Sequence, residues 1–138
     1  MDAFDADVVI YAATKAHPLG APVRALFLAA QRDSQLAGVG SVLLLPETLA
    51  KPLRSAATDE IEGLGQLLGL LDLRPADPHI ARTATVLAAA YRLKATDAVH
   101  LATAVGAGAD RFITNNRRDF HKSISEIVIT YPEDLPEV

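Results

Sequence analysis

Apolar residues recur with helical spacing in the second half of the chain. One stripe begins after Asp77-Pro78, an N-cap followed by proline in the first turn, and consists of Ile80, Ala84, Leu87, Ala88 and Tyr91. A second stripe begins near Thr96-Asp97, runs through Ala98, Leu101, Ala102 and Val105, and ends at Gly106 or Gly108. Spacing of three and four residues between such caps and glycines predicts two amphipathic helices.

Shorter apolar runs predict strands between the helices. Residues 111–114 and 127–129 are predicted strands, 36–39 is strand-like, and 70–74 includes a further strand. Helices are predicted over 23–31, over 41–54 with Ser41 as the cap, and over 59–71. Pro46 predicts a kink or a late start for the helix that contains it. Alternating strands and helices indicate an α/β fold with a mainly parallel sheet.

The run from Val8 to Tyr11 has no clear local assignment. Its β-branched and aromatic residues favour a buried strand. A run this short has no periodicity that separates a strand from a buried helix, so both remain open on local grounds.

Composition limits the class of protein. The chain has 138 residues, 50% hydrophobic and 22% charged, with a net charge of -4 and no cysteine. We expect one domain spanning residues 1–138, without disulfides or thiolate sites. Apolar runs of about six residues are too short for a membrane helix, and the first residues do not resemble a signal peptide, so a cytoplasmic protein is expected. The acidic balance disfavours passive binding of nucleic acid but not a metal-dependent enzyme.

Acidic and amide residues stand at predicted element boundaries. These are Asp5 with Asp7, Glu47, Asp97, and the pair Asn116 and Asp119. Since the carboxyl ends of parallel strands share one edge of the sheet, these side chains are candidates for one site. Clustered carboxylates repel one another unless a cation neutralises them, and Mg²⁺ or Mn²⁺ prefers such oxygen ligands. Two such ions can support hydrolysis of a phosphodiester.

Each candidate also has a structural interpretation when taken singly. Asp97 in a first helical turn favours the helix dipole, Asp5 and Asp7 fit a turn, and Glu47 fits a solvated helix edge. His100 is predicted to be a packing or surface residue of its helix. The four histidines lack zinc-type spacing, and no glycine-rich phosphate loop is present.

Four segments in order resemble the PIN-domain family, especially VapC-like toxins of prokaryotic toxin–antitoxin pairs. They are residues 4–12 (Phe-Asp-Ala-Asp-Val-Val-Ile-Tyr-Ala), 41–49 (Ser-Val-Leu-Leu-Leu-Pro-Glu-Thr-Leu), 95–104 (Ala-Thr-Asp-Ala-Val-His-Leu-Ala-Thr-Ala) and 108–120 (Gly-Ala-Asp-Arg-Phe-Ile-Thr-Asn-Asn-Arg-Arg-Asp-Phe). The third segment is the most specific of the four. Their order and spacing cover the chain from Phe4 to about Ile129.

The resemblance implies a three-layer α/β/α sandwich with a parallel sheet of four or five strands. It implies a Mg²⁺- or Mn²⁺-dependent ribonuclease that forms homodimers and is inhibited by a cognate antitoxin. Asp5, Glu47 and Asp97 would be the metal ligands, and the chain would turn helical near Val8. Three departures stand out: Asp7 replaces the usual Asn, Ser or Thr, Asn116 with Asp119 replaces a fourth aspartate, and Asp2 interrupts a normally apolar strand.

These assignments predict an endoribonuclease that acts as a toxin. Asn116 and Asp119 would position water or a second ion, with Thr114 as a supporting hydroxyl at the substrate site. The basic residues expected nearest to the RNA phosphates are Arg117, Arg118 and Lys94. Two alternatives remain: a non-catalytic PIN-like scaffold that binds RNA or a partner, and a phosphatase of the haloacid-dehalogenase kind with Asp5 as nucleophile.

Overall fold

Five short parallel strands form the central sheet. In the computed structural model, which describes residues 1–138, their order is β3-β2-β1-β4-β5 and every neighbouring pair is parallel. The strands are β1 (Asp2–Phe4), β2 (Gly38–Ser41), β3 (Leu71–Arg74), β4 (Arg111–Ile113) and β5 (Val128–Thr130). The α/β class and the parallel sheet predicted from the sequence are confirmed, with β1 at the centre.

Six helices cover the two faces of this sheet. They are α1 (Ala6–Ala13), α2 (Gly20–Arg32), α3 (Leu44–Arg54), α4 (Thr58–Leu68), α5 (Pro78–Tyr91) and α6 (Ala95–Gly106), followed near the end of the chain by a 3₁₀ turn, Pro132–Asp134. None of the helices combines the length and the apolar character needed to cross a membrane.

The core consists of two apolar clusters, one on each face of the sheet. On one face Ala3 and Phe112 pack with residues of α5 and α6, among them Leu101. On the other face Phe4 and Ile113 pack with residues of α1, α2 and α4. Successive strand residues therefore point to opposite layers, as the pleat requires. The arrangement confirms the three-layer sandwich.

The segment from Val8 to Tyr11 is helical. The strand that local propensity favours there is wrong, and the helix implied by the family resemblance is right. Asp5 caps α1, since its side chain accepts a hydrogen bond from the Ala6 N–H. Val8 and Val9 are fully buried on α1. Packing against the other helices therefore outweighs the modest helical disadvantage of β-branched residues.

Helix α3 begins three residues later than the predicted cap. Ser41 is the last residue of β2, and its hydroxyl accepts a hydrogen bond from the Leu43 N–H instead of capping the helix. The helix begins at Leu44, so Pro46 lies in the first turn, where a backbone N–H has no intrahelical partner to lose. The late start anticipated from Pro46 is confirmed. It places Glu47 in the first turn of α3, beside the carboxyl edge of the sheet.

Asp2 is accommodated in β1 by an ion pair with β4. The Arg111 guanidinium donates to both carboxylate oxygens of Asp2, at 2.7 and 3.2 Å. The two residues are partners in the parallel ladder, so the pair lies across adjacent strands. An acid in an otherwise apolar first strand is thus neutralised by its neighbour.

Candidate active site

The ends of β1 and β4 place two polar side chains next to each other. Asp5 directly follows β1 and Thr114 directly follows β4, and both are buried. The Thr114 hydroxyl donates to Oδ2 of Asp5 at 2.8 Å, and the Ala6 N–H donates to Oδ1 at 2.8 Å. The carboxylate of Asp5 is thus fixed by one hydroxyl and one backbone N–H.

Asp7 lies beside Asp5 and is held by backbone groups. Its two carboxylate oxygens accept from the N–H of Val8 at 2.7 Å and from the N–H of Asn115 at 3.0 Å. Burial, together with the charge of Asp5, raises the pKa of Asp7 to about 7. The aspartate that departs from the family's usual residue therefore joins the same group of acids.

Asp97 extends the group from a different helix. It lies in the first turn of α6, and burial followed by the charges of Asp5 and Asp119 raises its pKa above the ordinary value. Burial also raises the pKa of Asp5, with a smaller contribution from the charge of Glu47. The acids predicted from four segments therefore lie close enough to influence one another. The acidic cluster below denotes Asp5, Asp7, Glu47, Asp97 and Asp119.

Glu47 makes its hydrogen bond with a histidine that the sequence analysis did not place in the site. Oε1 of Glu47 lies 2.6 Å from Nε2 of His100. His100 is only 1% exposed, whereas the side chain of Glu47 is 33% exposed. Of the two alternatives predicted for His100, packing and surface, the structure shows the buried one, with the ring facing Glu47. Its position three residues after Asp97, on the same face of α6, is the one sequence signal for this role.

The charge of the acidic cluster acts on His100 as well. Burial lowers the pKa of His100. The hydrogen bond with Glu47 and the charges of Asp5, Glu47 and Asp97 raise this pKa by more than burial lowers it, so the net shift is upward. This imidazole is the basic side chain embedded among the acids. No lysine or arginine forms an ion pair with any member of the acidic cluster.

Asn116 and Asp119 form a small hydrogen-bonded unit that connects to Asp5. The Asn116 amide donates to Oδ2 of Asp119 at 3.0 Å, and the Asp119 N–H returns a bond to the Asn116 side chain at 3.3 Å. The Asn116 N–H donates to the Thr114 hydroxyl at 3.0 Å, and that hydroxyl donates to Asp5. Thr114 is fully buried, and its hydroxyl supports Asp5, while its place among the substrate-binding residues stays a prediction.

The three basic residues predicted near the site have different surroundings. Lys94 directly precedes α6, and its charge lowers the pKa of Asp97, which places it beside the acidic cluster. Arg118 is exposed. Arg117 is exposed too, but it donates to Glu133 at 2.6 Å and lies 4.5 Å from the ring centre of Tyr131. Arg117 is therefore already engaged within the protein.

The donor set of the acidic cluster suits a hard divalent cation. Carboxylate oxygens are the preferred ligands of Mg²⁺ and Mn²⁺, and the pKa values raised by burial and by neighbouring acids reflect a cost of ionisation that such a cation relieves. No three histidine, aspartate or glutamate side chains converge in a ready-made metal-binding group. Glu47 has one carboxylate oxygen on His100 and its other oxygen without a hydrogen bond. The chemistry of the residues fits the ion, and binding requires their carboxylates to draw together.

Comparisons with known proteins agree with this architecture. A chain of a toxin–antitoxin complex from Klebsiella pneumoniae superimposes with a TM-score of 0.69 at 20% identity, covering 96% of this chain and 98% of that one. A chain of the VapBC2 complex of Rickettsia felis, crystallised with a promoter DNA fragment, superimposes with a TM-score of 0.72 at 15% identity, covering 94% and 97%. At these identities the likeness establishes the fold.

A sequence family accounts for most of the chain. No curated protein sequence matches it. The PIN domain family profile matches residues 3–124, a range that includes the whole acidic cluster. The chain therefore belongs to the PIN domain family.

Proposed function

We propose that this protein is a Mg²⁺- or Mn²⁺-dependent endoribonuclease and the toxin of a toxin–antitoxin pair. The observation that carries the proposal is the acidic cluster at the carboxyl edge of the sheet. Its carboxylates come from separate parts of the chain and have no lysine or arginine partner, and burial together with neighbouring acidic charge raises the pKa of Asp5, Asp7 and Asp97. Such a group is costly to a fold unless it binds a cation.

Asp5, Glu47 and Asp97 are the residues that would hold the ion. When bound, the ion neutralises the carboxylates, offsets the charge of a phosphodiester and makes water a better nucleophile at neutral pH. Asp5 brings a carboxylate already oriented by Thr114 and the Ala6 N–H, which lowers the cost of ordering it. Asp97 brings a half-exposed carboxylate from the first turn of α6.

Asn116 and Asp119 are suited to positioning water or a second ion. Their mutual hydrogen bonds hold both side chains in a fixed relation near Asp97. A partly exposed aspartate held in this way can accept a proton or a hydrogen bond from the attacking water. Thr114 links this unit to Asp5, so hydrogen bonds join the two halves of the site.

An RNA substrate also needs positive charge around the acidic cluster. Lys94 and Arg118 are exposed and make no ion pair, so they are free to contact phosphates on either side of the cleaved bond. Arg117 would have to leave Glu133 first, so we assign it a smaller part. With RNA as the substrate, we infer that the protein acts in the cytoplasm.

The toxin assignment rests on the structural neighbours, both of which are chains of toxin–antitoxin complexes. From them and from family membership we infer that a cognate antitoxin binds this protein and inhibits it, and that the protein forms a homodimer. Light scattering of the purified protein tests the dimer. Coexpression with the product of the adjacent gene tests the antitoxin, because relief of growth arrest requires an inhibitor that binds.

The central test is cleavage of RNA by purified protein with added Mn²⁺ or Mg²⁺. We expect EDTA to abolish cleavage. We expect Asp97→Asn to reduce it by more than the roughly 10–100-fold cost of losing a residue that only contacts a metal ligand. Asp33→Asn is the matched control, since Asp33 is an exposed acid at the end of α2. Wild-type cleavage by Asp97→Asn, or full cleavage in EDTA, would contradict the proposal.

The same preparation separates the two alternatives. A non-catalytic scaffold binds RNA or a partner without cutting it and gains no stability from Mn²⁺. A phosphatase with Asp5 as nucleophile turns over a small phosphomonoester such as p-nitrophenyl phosphate. Silence on that substrate together with Mn²⁺-dependent RNA cleavage supports the nuclease.

A further inference from the structure

The buried ring of His100 has Glu47 as its single polar partner. Nε2 lies 2.6 Å from Oε1 of Glu47, whereas Nδ1 is buried without any hydrogen bond. A carboxylate only accepts hydrogen bonds, so Nε2 carries the proton and donates. Burial of an imidazole costs free energy, and the polar contact that offsets this cost is directed entirely at Glu47.

Glu47 depends on this contact because little else restrains it. Its side chain is 33% exposed, and the hydrogen bond with His100 is the one its carboxylate makes. Oε2 stays available for a ligand. His100 itself is fixed, since it is almost completely buried on α6, a helix that packs on the sheet. The enclosed imidazole of His100 therefore restrains a glutamate side chain that has no other hydrogen bond.

We propose that His100 is the positioning residue of Glu47, holding that carboxylate where it can join Asp5 and Asp97 at a divalent ion. The proposal rests on the proposed function, in which these three acids bind the ion. A glutamate on an exposed helix face loses side-chain freedom when it binds a metal, and a carboxylate already anchored loses less. Helix α6 thus contributes one ligand, Asp97, and the anchor of another.

Two amide substitutions separate positioning from simple packing. In His100→Gln the amide nitrogen takes the place of Nε2 and can still donate to Glu47. In His100→Asn the amide takes the place of Nδ1 and ends short of Glu47. Both leave a polar amide in the same buried space. We expect the Mn²⁺ dissociation constant of His100→Asn to rise about 10–100-fold, and that of His100→Gln to stay near wild type.

The measurement is direct titration of the purified protein with Mn²⁺, following the free ion by electron paramagnetic resonance, without RNA. Melting temperatures of the metal-free variants are recorded as well. If His100 serves only packing, the substitutions change the melting temperature, and the two variants have nearly equal Mn²⁺ dissociation constants. Equal Mn²⁺ affinity of His100→Asn and His100→Gln would overturn the proposal.

A double-mutant cycle shows whether His100 acts through Glu47. In a Glu47→Ala background, His100→Asn should cause no further loss of Mn²⁺ affinity, because the carboxylate it positions is absent. A loss as large as in the wild-type background overturns the proposal. These failures differ from failure of the proposed function: absence of any Mn²⁺ binding by wild-type protein refutes the metal site itself and this role with it.

Discussion

Asp2 and Asp5 stand at opposite ends of the same strand, and their carboxylates have opposite surroundings. Asp2 begins β1 and accepts two hydrogen bonds from the Arg111 guanidinium. Asp5 follows β1, is 5% exposed, and accepts from a hydroxyl and a backbone N–H without any ion pair to lysine or arginine. Three positions along the chain separate a neutralised acid from an unneutralised one.

The contrast extends to the whole of each sheet edge. At the amino edge the N-terminal ammonium group also pairs with Asp110, the residue before β4. At the carboxyl edge burial raises the pKa of Asp5, Asp7 and Asp97, and the charge of Asp5 raises the pKa of the other two further. Protein groups supply the positive charge at the first edge, and the proposed divalent cation would supply it at the second. Opposed edges of this kind distinguish acids that stabilise the fold from acids that serve a ligand.

The largest effect is expected from removing one charge at each end of β1. Asp5→Asn should reduce Mn²⁺-dependent RNA cleavage by more than about 100-fold, because Asp5 would be a direct ligand of the ion. Loss of a residue that only contacts such a ligand costs roughly 10–100-fold. Asp2→Asn should leave cleavage near wild type and lower the free energy of unfolding by about 1 kcal/mol through the weakened Arg111 pair. Cleavage rates and denaturant unfolding of the two variants check this. Equal losses of cleavage would remove the distinction between the two edges.

The next largest expected effect is the gain in thermal stability when the proposed divalent cation binds. Mn²⁺ at about 100 times its dissociation constant should stabilise the folded protein by about 2.7 kcal/mol, a rise of about 10 °C in Tm for a chain of this size. Asp5→Asn should abolish the rise, whereas Asp2→Asn should keep it. Thermal melts with and without Mn²⁺ provide the measurement. A rise that survives Asp5→Asn would place the ion elsewhere.

The pH dependence of stability gives a smaller effect with a definite sign. The folded protein holds the Asp7 proton up to about pH 7, whereas the unfolded chain releases it near 3.8. The folded state therefore binds more protons between these values, and metal-free stability falls as pH rises from about 4 to about 7. The raised pKa of His100 acts in the same direction, since stability from its protonated form is lost as pH rises.

Denaturant unfolding in EDTA at several pH values measures this slope. Asp7→Asn should flatten it and should make the metal-free protein more stable than wild type above about pH 7, because the buried charge is gone. Added Mn²⁺ should flatten the wild-type slope as well. A slope in Asp7→Asn as steep as in wild type would show that Asp7 does not carry the unneutralised charge.

The smallest effect concerns the exposed basic residues. Lys94→Ala and Arg118→Ala should each weaken RNA binding a few-fold. Each should also reduce the slope of log KM against log salt concentration by about one, the amount that one phosphate contact contributes. Arg117→Ala should change KM less, since Arg117 is paired with Glu133, and should lower stability slightly. Kinetics at several salt concentrations measure these changes. A larger KM effect from Arg117→Ala would show that RNA displaces Glu133.

Local signals predicted most of the elements, and packing decided the rest. Asp77-Pro78 followed by a regular apolar stripe predicted α5 correctly, because cap and periodicity agree. Val8 and Val9 favoured a strand on propensity alone, and their complete burial on α1 reverses that preference. Ser41 has the chemistry of a helix cap, but its place at the end of β2 follows from pairing with β3.

The site was predictable where it followed from the topology. A parallel sheet necessarily brings strand ends together, so the grouping of Asp5 with Thr114 could be anticipated from the alternation of elements. The contact between Glu47 and His100 could not, because it joins two helices, α3 and α6, through residues 53 apart in the sequence. The engagement of Arg117 by Glu133 depends in the same way on where the last segment of the chain lies.

The bond from Thr114 to Asp5 has a consequence for the timing of synthesis. It joins residues 109 apart, and β1 gains its neighbour β4 only when residues 111–113 have been added. A ribosome that has released residues 1–110 already presents four of the five acids of the acidic cluster, but the strand that orients Asp5 does not yet exist. The proposed site is therefore complete only after more than three-quarters of the chain has been made.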